Sequence, residues 1–347
     1  MGALPFNDVH LTAALLSKRW RAWALRQRGG SARFQLHQDQ GLPAHALQHG
    51  WQTCLWSCQQ RDAICVALAA AGQLDELRWL YSRVKAASRR SICRSSGPQS
   101  LKFSAKCASA AARNGHAAVL DWLCHQVDEP APVEESLIDD AARGGSVEVL
   151  KWLQSESLLA WGWGVSTCAA AAEAGELAVL QWLRSRRPQC PWDEGTCAAA
   201  AEAGELAVLQ WARSRRPPCP WDEGTCAAAA RAGQLAVLQW ARSQRLPCPW
   251  DEGTCAAAAR AGQLEVLQWA RSQQPPCPWD ETVSKAAAGE GRLNILQWLR
   301  SQDPPCPWDD GVLLAARDSG RYRGGIMKWA LDNGCPDPEG RYARYLN

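Results

Sequence analysis

Cysteine is the residue type most suggestive of chemistry in this chain, with 16 among 347 residues. Cys190, Cys219, Cys248, Cys277 and Cys306 recur every 29 residues, each followed by Pro-Trp, and the first three are followed seven positions later by Cys197, Cys226 and Cys255. Paired thiolates can hold zinc or join as disulfides. Paired zinc ligands are usually separated by roughly two to four residues, whereas six lie between these, and the next two copies place Ser284 and Leu313 at the second position. Equivalent cysteines of adjacent copies are expected about 8 to 10 Å apart, the distance between packed helices, which is beyond disulfide reach. The thiols therefore read as free, buried, small hydrophobes in a reducing compartment, with no metal and no cofactor.

The other chemical residues point the same way. All six histidines (His10, His37, His45, His49, His116 and His125) precede residue 126, so the regular copies have no imidazole for a triad or for general acid–base work. No glycine loop of the phosphate-binding kind is present. An enzyme is not expected.

Charge and hydropathy narrow the partners. Lys and Arg number 38 against 35 Asp and Glu, and a net charge of +3 gives no bulk field to draw nucleic acid or a membrane surface. The expectation is a protein partner, no nucleic acid and no membrane, for a monomer of the cytoplasm, with the nucleus as the alternative. No apolar run approaches the roughly 20 residues of a membrane span, and Asp8 interrupts the one candidate for a secretory signal. The first 34 residues carry Lys18, Arg19, Arg21, Arg26, Arg28 and Arg33 against Asp8 alone, which suits either an organellar transit peptide or the flank of a basic helix.

The elements that position these residues come from the repeat. Trp182, Trp211, Trp240, Trp269 and Trp298 are also 29 apart, and Trp numbers 20 where Phe numbers 3 and Tyr 4. A Gly seven residues before a Trp occurs at Gly72/Trp79, Gly115/Trp122, Gly145/Trp152 and then regularly to Gly291/Trp298. With a last unit ending at Trp329, about nine units cover residues 60–340. Each reads as two short helices. Asp193 caps a first helix that opens with Glu194 and continues through an Ala run to Gly204. A second helix over Leu206 to Ser214 ends before Pro217, Pro218 and Pro220. Its apolar residues Leu206, Val208, Leu209 and Trp211 spread too widely for one neighbour, so units should stack, with Trp211 in the core and Trp221 folded over the helix ends.

The stretch GTCAAAARAGQLAVLQWA resembles the ankyrin-repeat core, in which a turn opens helix one, A-A-x-x-G closes it and L-x-V-L begins helix two. The C-P-W-D-E variant is similar to ankyrin-like arrays of algae, other protists and giant viruses. The resemblance implies an all-α fold, a right-handed solenoid of stacked helix-turn-helix repeats of about 29 to 30 residues. The connection RPPCPWD is short and proline-rich, so β-hairpin fingers are reduced or absent and bare loops are expected.

Positions that differ between copies show what the framework leaves open. The end of helix one reads Glu173, Glu202, Arg231, Arg260, Gly289; the residue after the Gly reads Glu176, Glu205, Gln234, Gln263, Arg292. The linker reads Arg186-Arg187, Arg215-Arg216, Gln244-Arg245, Gln273-Gln274, Gln302-Asp303. The ankyrin resemblance places Glu173, Glu202, Arg231 and Arg260 on a concave binding surface, where an acidic half would adjoin a basic half. With Arg186, Arg187, Arg215 and Arg216 they are the candidate partner-binding residues; the alternative is a solvated rim that drifted after duplication.

Residues 1–59 are not a repeat unit. LPFNDVHLTAALLSKRWRAWA resembles the second half of an F-box at Leu4, Pro5, Asp8, Val9, Leu16, Lys18, Trp20 and Arg21. That implies docking to a Skp-type adaptor through Leu4, Pro5, Asp8, Val9, Leu16 and Trp20, so the chain could be a substrate receptor of an SCF-type ubiquitin ligase. The domain reading is an F-box-like helix and linker at 1–59, the array at 60–340 with a mobile basic insertion at 86–103, and a tail at 341–347. The function expected first is a non-catalytic protein-binding scaffold.

Overall fold

The computed structural model describes residues 58–90, 103–128, 130–132, 134, 136–156, 162–318, 323–340 and 342. The adaptor motif at Leu4, Pro5, Asp8, Val9, Leu16 and Trp20 lies outside them. The chain divides into two compact units, Met1–Gly162 and Trp163–Asn347. Among the described residues there are eighteen α-helices, one 3₁₀ turn at Pro338–Gly340 and no strand.

The first unit holds α1 (Cys58–Ala70), α2 (Leu74–Arg90), α3 (Ala105–Arg113), α4 (Ala117–His125), α5 (Ser136–Arg143) and α6 (Val147–Ser155). Helix α2 runs on to Arg90, so the start of the expected loop at 86–103 is helical. Tyr81, Phe103 and Trp122 meet at centroid distances of 5.4 to 6.0 Å. The buried Asp140 carboxylate is paired with Arg113 and, at 3.7 Å, with Arg143, as a carboxylate out of water requires.

The second unit holds α7 (Val165–Glu173), α8 (Leu177–Ser185), α9 (Glu194–Ala203), α10 (Leu206–Arg213), α11 (Glu223–Ala232), α12 (Leu235–Ser243), α13 (Glu252–Ala261), α14 (Leu264–Ser272), α15 (Glu281–Gly289), α16 (Leu293–Arg300), α17 (Gly311–Asp318) and α18 (Arg323–Asp332). Helix α11 shows how the sequence sets the pattern. Its N-cap Asp222 accepts from the Thr225 backbone N–H at 3.2 Å while the Asp222 N–H donates to the Thr225 hydroxyl, which satisfies two donors that a helix start leaves open. The Ala run follows, and Gly233 ends the helix in the left-handed region at φ +75°.

Successive first helices α7, α9, α11, α13, α15 and α17 pack on one another, and α8, α10, α12, α14 and α16 each pack on the first helix of their own pair. Alanine and cysteine line the first helices, so these backbones approach closely. The second helices turn Val208, Leu209 and Ala212, or their equivalents, inward. This is an all-helical repeat solenoid, in which each pair buries its apolar face only against the next. Contrary to expectation, Trp211 and its copies are half-buried at the flank: one helical turn already fills the inner face with Val208, Leu209 and Ala212, and the indole takes the adjacent direction.

The turns between paired helices are close-fitting. A Cβ added at Gly233 would lie 2.7 Å from Gln263 Oε1, on top of the positive φ. Gly233→Ala is expected to lower stability by about 1–2 kcal/mol from the left-handed conformation alone, read as a shift of the urea midpoint at unchanged slope.

Candidate functional site

The sulfurs that meet are not the ones seven residues apart. Cys168 Sγ lies 3.1 Å from Cys190 Sγ, a spacing of 22 residues that joins helix one of a pair to the linker leaving that pair. Each linker thiol donates to the carbonyl at the start of a first helix 26 residues earlier, Cys219 to Asp193 at 3.4 Å and Cys248 to Asp222 at 3.3 Å, and so through Cys335 to Asp309. The Cys219 backbone N–H donates to the Ala212 carbonyl at 3.1 Å. The linker cysteine, buried as expected, is in addition a polar tie for a loop with no ladder of its own. No group of three or more His, Cys, Asp or Glu able to hold a metal ion occurs among the described residues.

Burial raises these thiols. Cys107 and Cys306 are pushed up to about 11 and Cys335 to about 12, from an ordinary 9.0. Cys219, Cys248 and Cys277 rise too, first through the facing thiols Cys197, Cys226 and Cys255 and then through burial. The unfolded thiols ionise near 9 while the folded ones stay protonated, so the stabilisation is complete below that pH and is lost as pH rises through 11 to 12. The melting temperature should therefore fall steeply above pH 9, and serine replacement at Cys306 should flatten that fall.

The linker carbonyl is held by an arginine that sequence reading passed over. Arg184, Arg213, Arg242, Arg271 and Arg300 each donate Nη1 to the carbonyl of the linker cysteine six residues on, at 2.5 to 2.9 Å. The same guanidinium lies over the indole of the C-P-W motif, 3.9 Å from the Trp192 centroid, 4.0 Å from Trp221 and Trp250, 3.8 Å from Trp279 and 4.2 Å from Trp308. Each of those indoles meets, edge-on, the helix-two indole of the pair that its linker leads into, Trp192 with Trp211 at 6.0 Å and Trp221 with Trp240 at 5.9 Å. Trp221 is therefore clamped between Arg213 and Trp240 at the seam. The available signal was constancy: Arg stands two residues after Trp in all five regular copies while the neighbouring charges drift.

Of the candidate residues at the helix-one ends, Glu173, Glu202, Arg231 and Arg260 are all exposed, and Glu202 and Arg231 are brought together as an ion pair at 2.6 Å. The two charge signs thus meet and neutralise at one seam. The residues after the Gly do structural work. Gln234 and Gln263 reach back over the preceding turn to the carbonyls of Glu202 and Arg231 at 3.5 Å, and Arg292 reaches that of Arg260 at 3.4 Å. His116 does the same to Ala70 at 3.0 Å.

The linker candidates occupy another edge. Arg186 lies over Trp182 at 4.8 Å and Arg215 over Trp211 at 5.3 Å. Arg215 donates to the Ser214 hydroxyl from Nε at 3.3 Å and Nη2 at 3.0 Å. Arg187 and Arg216 are exposed, with no hydrogen-bond or ion-pair partner among the described residues. Between this linker and the previous one runs an open groove of about 780 Å³, walled by Gln181, Arg184 and Gln189 on one side and Trp211, Arg215 and Arg216 on the other. Residues 177–192 and 206–221 hold three arginines each and no acid; 235–250 hold two and no acid; 264–279 and 293–308 hold one arginine against one acid.

No family model matches the chain, and no curated protein matches it. Among solved structures it is similar to the crystal structure of the pentatricopeptide repeat protein PPR10 in complex with an 18-nt psaJ RNA element, at 14% identity and a TM-score of 0.36. It is similar at the same values to a cysteine-to-serine variant of that protein with the same RNA. The likeness covers 86% of this chain, which spans 47% of that one. Nucleic acid, set aside above on net charge, is present in both of these structures, and the exclusion is withdrawn. The net charge of +3 averages over an edge where arginine is concentrated locally.

Proposed function

We propose that the chain is a non-catalytic scaffold, an ankyrin-like array that binds a protein partner along its arginine-rich linker edge. The observation that carries this reading is the pair Arg187 and Arg216, two exposed guanidinium groups at equivalent places of adjacent units that the fold itself does not use. Stacked pairs hold such side chains at fixed spacing, and recognition is the sum of their contacts. Glu202 and Arg231, being occupied with each other, have less to offer a partner.

The test compares proteins captured by the full chain with those captured by R187E/R216E and by E173K/E202K/R231E/R260E, each checked for native helicity. Partners should be lost with the linker variant and kept with the other. Partners retained by R187E/R216E would remove the linker edge, and their loss from the second variant would move the binding face to the helix-one ends.

A further inference from the structure

We infer that the groove between the two arginine-bearing linkers receives an extended acidic peptide whose carboxylates stand three residues apart. This rests on the linker edge being the binding edge and names the partner's chemistry.

The side chains facing the groove are three arginines, two glutamines, Ser185, Ser214 and the indole of Trp211, with no acid among them. Arg184, Arg215 and Arg216 supply the charge, while Gln181 and Gln189 present amides suited to a peptide main chain. Arg184 and Arg215 lie over Trp192 and Trp211, 3.9 and 5.3 Å from the ring centroids. Arg184 spends Nη1 on the Cys190 carbonyl, and Arg215 spends Nε and one Nη2 hydrogen on the Ser214 hydroxyl, so the remaining N–H groups of these two and the exposed guanidinium of Arg216 are the donors that meet carboxylates. These bonds and the indoles beneath hold both guanidinium groups in place before the ligand arrives, so less side-chain freedom is lost on binding.

Two observations favour a short acidic peptide over a nucleic acid strand. Bases bind single-strand sites largely by stacking on aromatic faces, and here the faces of Trp182, Trp192, Trp211 and Trp221 already carry guanidinium groups. A polyanion tracking the array would need the same charge in every unit, yet the double arginine of 186–187 and 215–216 becomes Gln273-Gln274 and then Gln302-Asp303. The anionic stretch that fits is about two or three units long. Adjacent units are separated by about 8–10 Å, the spacing of packed helices, and three residues of extended chain cover about 10 Å. Carboxylates at every third position would therefore match the repeat, one at Arg216 in the groove and the next at its equivalent Arg187, which is exposed in the preceding linker beyond the groove lining.

The probe is a fluorescein-labelled peptide with Asp or Glu at every third position among Gly, Ser and Ala, titrated into the full chain by anisotropy at low and physiological salt. Comparators are the same composition with the acids clustered, the Asn/Gln version, and a single-stranded oligouridine of equal length. Saturable binding is expected for the spaced acidic peptide, weakened about tenfold or more by R215Q or R216Q, unchanged by R260Q, and weaker for the clustered and amide peptides. Absence of saturable binding, or equal binding by R215Q and R216Q, would overturn the inference. Equal affinity for the clustered peptide overturns the three-residue register. Tighter binding of oligouridine that is lost in the same variants overturns the peptide class. If captured partners still depend on Arg187 and Arg216 while the peptide fails, the scaffold reading survives and this inference alone falls; if they do not, the reading beneath it has failed.

Discussion

Leu209→Ala lowers the unfolding free energy by about 2–5 kcal/mol, the range for truncating a fully buried leucine whose site cannot collapse. Leu209 is 1% exposed on α10, between Val208 and Ala212 on the inward face. The buried residues of the first helices α9 and α11 are alanine, cysteine and threonine, short side chains that cannot swing in to fill the space left behind. Because stability in a stacked array is close to a sum over nearest neighbours, the damage should be local. Amide exchange should quicken in α9 and α10 and the pairs beside them, and change less in α16 to α18. Uniform loss of protection throughout Trp163–Asn347 would show instead that the unit opens all at once.

The second large effect is expected at the seam. Arg242→Ala removes the Nη1 bond to the Cys248 carbonyl at 2.6 Å and the guanidinium lying 4.0 Å from the Trp250 centroid. A lost charge-assisted hydrogen bond and a lost cation–π contact together make about 2–3 kcal/mol, measured by chemical denaturation. Lysine keeps the charge but lacks the planar group that bonds and stacks at once, so R242K should recover only part of the loss. Arg245 in the same linker is exposed, and R245A should stay within about 0.5 kcal/mol of the native protein. Equal losses for R242A and R245A would mean that the loss is one of net charge and not of the clamp.

How much of this was legible in the sequence depends on the range over which each feature is encoded. The helix pairs were, because a cap, an alanine run, a glycine and a proline all act within a few residues of themselves. Asp222 and Asp251 cap as their positions suggest, while Asp193 holds the same place without a side-chain bond. Contacts between units were not. The seven-residue cysteine spacing drew the eye, yet the sulfurs that meet are 22 residues apart, since only stacking decides which linker lies against which helix. Gln234 and Gln263 looked unconstrained because the carbonyls they reach belong to the previous unit. The change from Glu202 to Arg231 looked like a border between two fields; adjacent units sit side by side there, and the border closes as an ion pair.

The seam has an evolutionary corollary. Arg213, Cys219, Trp221 and Trp240, which clamp one linker, all fall within a single 29-residue stretch of sequence. Copying such a stretch, wherever the cut falls, therefore reproduces the fastening together with the part that it fastens. A lineage can lengthen or shorten the array by unequal recombination without inventing a new interface. Adaptation is left to point changes at the few places that the joint does not occupy, of which Arg187 and Arg216 are two.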